Sequence, residues 1–113
     1  MVNAAGVVLM AKKKPPLYDM EACLICGRWY PEWHHVYPSD RRKISDREGC
    51  VAPLCREHHQ GRHGVHQDRE LDLWLKADCQ RRWMEREGAT ADEFRAVFYA
   101  NYLDEEGTMP IGR

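Results

Sequence analysis

Four residues stand in two pairs with the same gap, Cys23-x-x-Cys26 and Cys55-x-x-His58. Two intervening residues let both side chains of a turn converge on one ion, and three thiolates with one imidazole are a common tetrahedral donor set for zinc. The spacing therefore predicts one structural zinc held by Cys23, Cys26, Cys55 and His58. A reactive dithiol at Cys23 and Cys26 would require a βαβ setting, and the surrounding sequence offers none. Cys50 and Cys79 have no ligand partner at short spacing and read as small buried side chains.

Five further histidines cluster near these pairs: His34, His35, His59, His63 and His66. His34-His35 follows the first pair and His59 directly follows the second, so a shared zinc would draw all three together. Adjacent residues on a strand point to opposite faces. One of His34 and His35 can therefore ligate an ion while the other takes a different job, such as accepting a proton from water near neutral pH. The plainer alternative is ordinary polar residues beside a zinc knuckle. Arg41, Arg42 and Lys43 follow in a polar stretch where they could meet phosphates, although Asp40, Asp46 and Glu48 offset them. Trp29 and Trp33 could stack on bases but are expected to pack over the knuckle, as scaffold for a small core.

The elements that must position these groups are short. Residues 1–17 read as a disordered arm, with Lys12-Lys13-Lys14 followed by Pro15-Pro16, a pair that breaks helices. The domain is expected over residues 18–104, with a frayed polar tail over 105–113. Trp29, Tyr30, Trp33, Val36 and Tyr37 favour strands, so a hairpin is predicted with His34 and His35 on or just after a strand. Pro38 to Gly49 reads as a polar loop, Val51 to Leu54 as a second strand, and Cys55 to His59 as one helical turn. A longer helix should start at Asp68, a good N-cap, and stop at Gly88. Leu71, Leu75, Cys79 and Trp83 form its apolar face, with Trp74 beside them. Thr90-Ala91-Asp92-Glu93 is a capping-box sequence opening a final helix with Phe94, Val97, Phe98 and Tyr102 on its apolar face. The fold class expected is α+β: a treble-clef-like ββα core with a zinc knuckle, followed by an αα hairpin.

The run Cys23-x-x-Cys26, His34-His35-Val36, Pro53-Leu54-Cys55-x-x-His58-His59 and Gly64-Val65-His66 resembles the HNH (ββα-metal) endonucleases. It is most similar to small phage and prophage members, among them recombination-associated nucleases. The resemblance covers roughly residues 22–103, including the Thr-x-x-Glu-Phe helix and Asn101-Tyr102-Leu103. It implies that His34 and His59 ligate a catalytic divalent cation such as magnesium, that His35 is the general base, and that a further histidine completes the metal site. By resemblance that histidine is His66, with His63 as the alternative on i, i+4 spacing from His59. The implied reaction is hydrolysis of DNA phosphodiester bonds with 5′-phosphate products, and the implied partners are DNA and a recombinase filament or another phage or host DNA-processing protein. The sequence departs from the family pattern where a middle asparagine is usual: Cys50 stands there. A non-catalytic zinc-knuckle module that binds nucleic acid or protein is the alternative reading.

Composition sets the outer limits. At 113 residues with a net charge of −1, the chain suits one domain and is no polycation. Residues 1–66 carry ten Lys/Arg against seven Asp/Glu, and residues 67–113 carry seven against eleven. The N-terminal half is therefore the expected polyanion face. No apolar run is long enough to span a membrane, and five cysteines without a secretory leader suit a reducing cytoplasm.

Overall fold

A computed structural model describes residues 13–104 of the chain. It is a small mixed fold of a two-stranded sheet and helices. The elements are β1 (Glu32–His35), a 3₁₀ turn (Ser39–Arg41), α1 (Arg42–Glu48), β2 (Val51–Leu54), α2 (Arg56–His59), α3 (Arg69–Glu87) and α4 (Ala91–Phe98). β1 and β2 pair antiparallel, with Glu32 opposite Leu54, Trp33 opposite Pro53, His34 opposite Ala52 and His35 opposite Val51. The expected frayed tail and most of the expected N-terminal arm lie outside the described residues.

The long helix follows its local signals. Asp68 caps α3 by accepting from the Leu71 N–H at 3.1 Å, and Gly88 closes it in the left-handed region at φ 63°. Thr90 and Glu93 form the reciprocal capping box of α4. This last helix is shorter than expected. It stops at Phe98 because Tyr99 turns left-handed, and Tyr102 lies beyond it, stacked on Tyr37 with ring centroids 5.5 Å apart. Gln80 holds that returning segment: its amide donates to Asn101 Oδ1 at 2.7 Å and its carbonyl accepts from the Tyr102 N–H at 2.8 Å.

Tyr37, Trp83, Phe94 and Phe98 make the aromatic centre of the core, with centroid separations of 4.4 to 5.7 Å. Val36, Ala52, Leu54, Leu75, Cys50 and Cys79 fill in around them. Such ring pairs contribute beyond the area they bury, which matters in a domain with so little interior.

Three expectations need correction. The polar stretch from Pro38 to Gly49 is a 3₁₀ turn and a helix. The decisive contact is tertiary: the buried Ser45 hydroxyl donates to the Tyr37 carbonyl at 2.8 Å and accepts from the Tyr37 N–H at 3.0 Å. The tryptophans are not all scaffold. Trp83 is buried, but Trp29, Trp33 and Trp74 are exposed. Finally, residues 13–17 do not hang free. The Lys14 and Leu17 N–H groups bond to the carbonyls of Arg47 and Gly49, and the Lys14 ammonium sits 2.7 Å from Glu48. Glu48, itself buried, also accepts from the Trp83 indole at 3.0 Å.

Candidate metal centres

The first centre is built by a turn and a one-turn helix. The Cys23 carbonyl accepts from the Gly27 N–H at 2.8 Å, and the Cys23 N–H donates to Arg28. Gly27 takes φ 77°, a conformation open mainly to glycine, so the chain reverses tightly enough to aim Cys23 and Cys26 the same way. Cys55 is the N-cap of α2, and the His59 N–H closes the turn on the Cys55 carbonyl at 2.8 Å. A bond from the Leu24 N–H to the Pro53 carbonyl at 2.8 Å fixes the knuckle beside β2.

The donor atoms of Cys23, Cys26, Cys55 and His58 all lie within 4.8 Å of one another. Cys26 Sγ is 3.7 Å from Cys55 Sγ, and His58 Nδ1 is 3.3 Å from Cys55 Sγ and 3.6 Å from Cys23 Sγ. Zinc bonds of ordinary length at tetrahedral angles put two sulfurs about 3.8 Å apart and a sulfur and a nitrogen about 3.6 Å apart. The four residues therefore fit a metal such as zinc. Burial opposes the Cys23 thiolate, but the backbone N–H groups of Cys55, Cys26 and Ile25 and the His58 ring outweigh it and lower the Cys23 pKa to about 6, which favours the ligating form.

The second cluster is His34, His59 and His66, whose ligand nitrogens also lie within 4.8 Å of one another, a donor set that could hold a metal ion. Ring centroids are 5.0 Å apart for His34 and His59, 5.1 Å for His34 and His66, and 4.9 Å for His59 and His66. His34 points inward from β1 and is buried. Its Nε2 is buried with no hydrogen-bond partner, an arrangement that is costly unless a ligand takes the lone pair. Burial, followed by the nearby His59, His66 and Lys76, lowers its pKa to about 3. The ring is thus neutral at pH 7, the form that binds metals.

His59 is aimed by Glu32, which shares a face of β1 with His34 and accepts from His59 Nδ1 at 2.7 Å. The His59 hydrogen bond in turn lowers the Glu32 pKa. His66 is delivered by a close reversal after α2. A side-chain carbon on Gly64 would lie 2.7 Å from the Glu57 and His58 backbone, so only glycine lets the chain pass there, and the Val65 N–H bonds to the His58 carbonyl at 2.9 Å. His63 is exposed and lies outside the cluster; its backbone N–H bonds Glu57.

A cavity of about 190 Å³ opens at this cluster, lined by Trp33, His34, His35, Pro38, Ser39, Arg42, His59 and His66. Of the basic residues singled out above, Arg42 lines it. Lys43 is exposed and does not line it, and Arg41 turns a buried, unpartnered Nε inward. His35 Nε2 stands 3.6 Å from Asp46 of α1. Glu32 and Asp46 are the two carboxylates that sequence reasoning missed. Cys50, at the family's asparagine position, is fully buried. The backbone does the holding there: the Cys50 carbonyl accepts from Val36 at 3.0 Å, and its N–H donates to Ser45 at 2.8 Å.

No family model matches the chain, and no curated protein and no solved structure matches it. Among the described residues, no helix is long and apolar enough to cross a membrane.

Proposed function

We propose that the chain is a metal-dependent DNA endonuclease of the HNH (ββα-metal) kind, in which a histidine base and one divalent ion hydrolyse phosphodiester bonds. One observation carries the reading: three histidine nitrogens converge beside a Cys₃His cluster, and a fourth histidine and an arginine line the same cavity. The antiparallel pair β1 and β2, joined through α1 and followed by the one-turn helix α2, supports a ββα core around the knuckle.

His34, His59 and His66 would hold the divalent ion, which when bound supplies Lewis-acid stabilisation of charge on the phosphate and the departing 3′ oxygen. His35 takes the proton from the attacking water. Its Nε2 stands 3.6 Å from Asp46, whose carboxylate would steady the imidazolium that forms. Arg42 offers a planar cation to a phosphate oxygen at the cavity wall. Glu32 and Gln60 hold the metal side of the site, and the backbone bonds around Ser45, Tyr37 and Cys50 hold the base side. We further propose processing of phage or prophage DNA as the setting, with a recombinase filament as a candidate partner.

The test is nicking of supercoiled plasmid by the zinc-loaded protein in magnesium, manganese or nickel, with and without a recombinase filament. Metal-dependent nicking that disappears in His35→Ala supports the reading. Binding without cutting under every condition favours a zinc-knuckle binding module.

A further inference from the structure

Three large aromatic side chains lie in solvent beside the histidine cavity. Trp29 is 70 % exposed, Tyr30 96 % and Trp33 43 %. A small domain has few such rings and gains from burying each one, so three of them exposed close together in the chain form an unusual surface. Tyr30 also adopts φ 60°, the left-handed region that disfavours bulky residues. The backbone thus holds a strained turn whose result is an outward-facing ring.

The rings are not scattered. Trp29, Tyr30, Pro31 and Trp33, with Glu21 at one wall, frame a hollow of about 440 Å³. Trp33 is also a wall of the histidine cavity, so the two hollows adjoin. Arginines line other hollows, nearby in the sequence or sharing a wall. Arg28, next to Trp29, lines a neighbouring hollow with Arg56, and Arg42 lines the histidine cavity.

We infer that Trp29, Tyr30 and Trp33 form a stacking platform for unpaired bases of a DNA strand that leads into the histidine cavity. The inference rests on the proposed nuclease reading and narrows its substrate to DNA with a single-stranded segment. Aromatic rings stack on base faces, and in a duplex those faces are already covered by neighbouring bases, whereas an unpaired strand exposes them. Rings next to hollows lined by arginines suit a ligand that carries both bases and phosphates. A second copy of the chain fits less well. The three side chains expose at most roughly 500 Å², while a stable protein interface buries about 800 Å² per partner.

The experiment measures binding of the full, zinc-loaded chain to a fluorescent thymidine oligonucleotide and to a duplex of equal length, by anisotropy and tryptophan quenching. Trp29→Ala and Tyr30→Ala should each weaken single-strand binding by about 5- to 150-fold, the range expected for one lost stack. Duplex binding should change less than twofold, and Trp29→Phe should retain most of the single-strand affinity. Tyr30→Gly should lose affinity while its melting temperature stays level or rises, an outcome a structural role would reverse. Unchanged single-strand affinity, or equal losses on both DNAs, overturns the platform. So does a concentration-dependent dimer in sedimentation that Trp29→Ala abolishes. Cleavage of a gapped duplex in magnesium or manganese separates the two readings: single-strand binding through the rings without any cutting keeps the platform and removes the nuclease, while cutting with normal oligonucleotide binding by the variants does the opposite.

Discussion

Glu32 Oε1 accepts the Nδ1 proton of His59 at 2.7 Å across the gap between β1 and α2, and the Gln60 amide donates to the same oxygen at 3.2 Å. The pairing fixes the ring and leaves Nε2 as its free nitrogen. Outer carboxylates of this kind typically contribute about 10- to 100-fold to metal affinity. Glu32→Ala should weaken manganese binding by that factor in calorimetry, with the Cys₃His cluster undisturbed. An unchanged manganese isotherm would reduce the pair to a surface contact.

The Cys₃His cluster should behave differently from the histidine trio on chelation. Structural zinc is coupled to folding, and the cluster ties the knuckle to α2. Cys55→Ser, or a strong chelator, should abolish the cooperative thermal transition followed by circular dichroism. A chelated protein that melts as before would show that the knuckle folds unaided.

His66 and His63 should separate cleanly. His66 lies with His34 and His59, and His63 does not. His66→Ala should lower affinity for a divalent ion added to the zinc-loaded protein, while His63→Ala should leave it within about twofold, a margin well below the loss of a ligand. The reverse ranking in a metal titration would contradict the geometry.

His35→Ala should lower the cleavage rate by about two to four orders of magnitude, the usual contribution of a general base, while leaving the melting temperature and the salt dependence of DNA binding unchanged. His34→Ala should be partly restored by raised divalent ion, because its defect lies in occupancy. Single-turnover rates across a magnesium series distinguish the two.

Glu48 makes acid stability testable. Burial opposes its charge, but hydrogen bonds from Lys14, Trp83 and Arg47 outweigh that and lower its pKa from 4.5 to about 2. A depressed carboxylate stabilises the fold above its unfolded pKa and loses that contribution as pH falls through the folded value. The contribution, on the order of 2–3 kcal/mol at pH 7, should fade between about pH 4.5 and 2. Urea melts of wild type and Glu48→Gln should therefore differ at pH 7 and converge toward pH 2. A constant gap across that range would remove Glu48 as the cause.

The Cys₃His cluster could be read from spacing, because the residues of each pair sit within one turn and their convergence is local. The ends of α3 and the start of α4 were equally legible, since Asp68, Gly88 and Thr90 act on their own neighbours. α1 was not. Its Arg- and Asp-rich residues have the look of a loop, and it is secured by Ser45 gripping Tyr37, eight residues earlier. The one local signal was Gly49, left-handed at φ 79° as a helix C-cap. Losing α1 also lost Asp46, and Glu32 was missed because its partner lies 27 residues away. Lys14 looked like tail because Glu48, which secures it, is 34 residues distant. The exposure of Trp29 and Trp33 could not be deduced by asking only what a small core needs.

His58 and His59 are consecutive residues on a helix of four, one facing the thiolates and the other facing His34 and His66. This adjacency gives decay of the protein a direction. Point substitutions at His34, His35 or His59 touch none of the four Cys₃His residues, so a lineage released from selection should be able to shed the cavity and persist. Loss of Cys55 or His58 should loosen the helix that carries His59, so a cavity kept without the knuckle is not expected. An insertion between the two histidines is closed off as well, since one extra residue swings His59 by about 100° around α2. Silent relatives should therefore be found with four zinc ligands and a broken histidine set, and never the other way round.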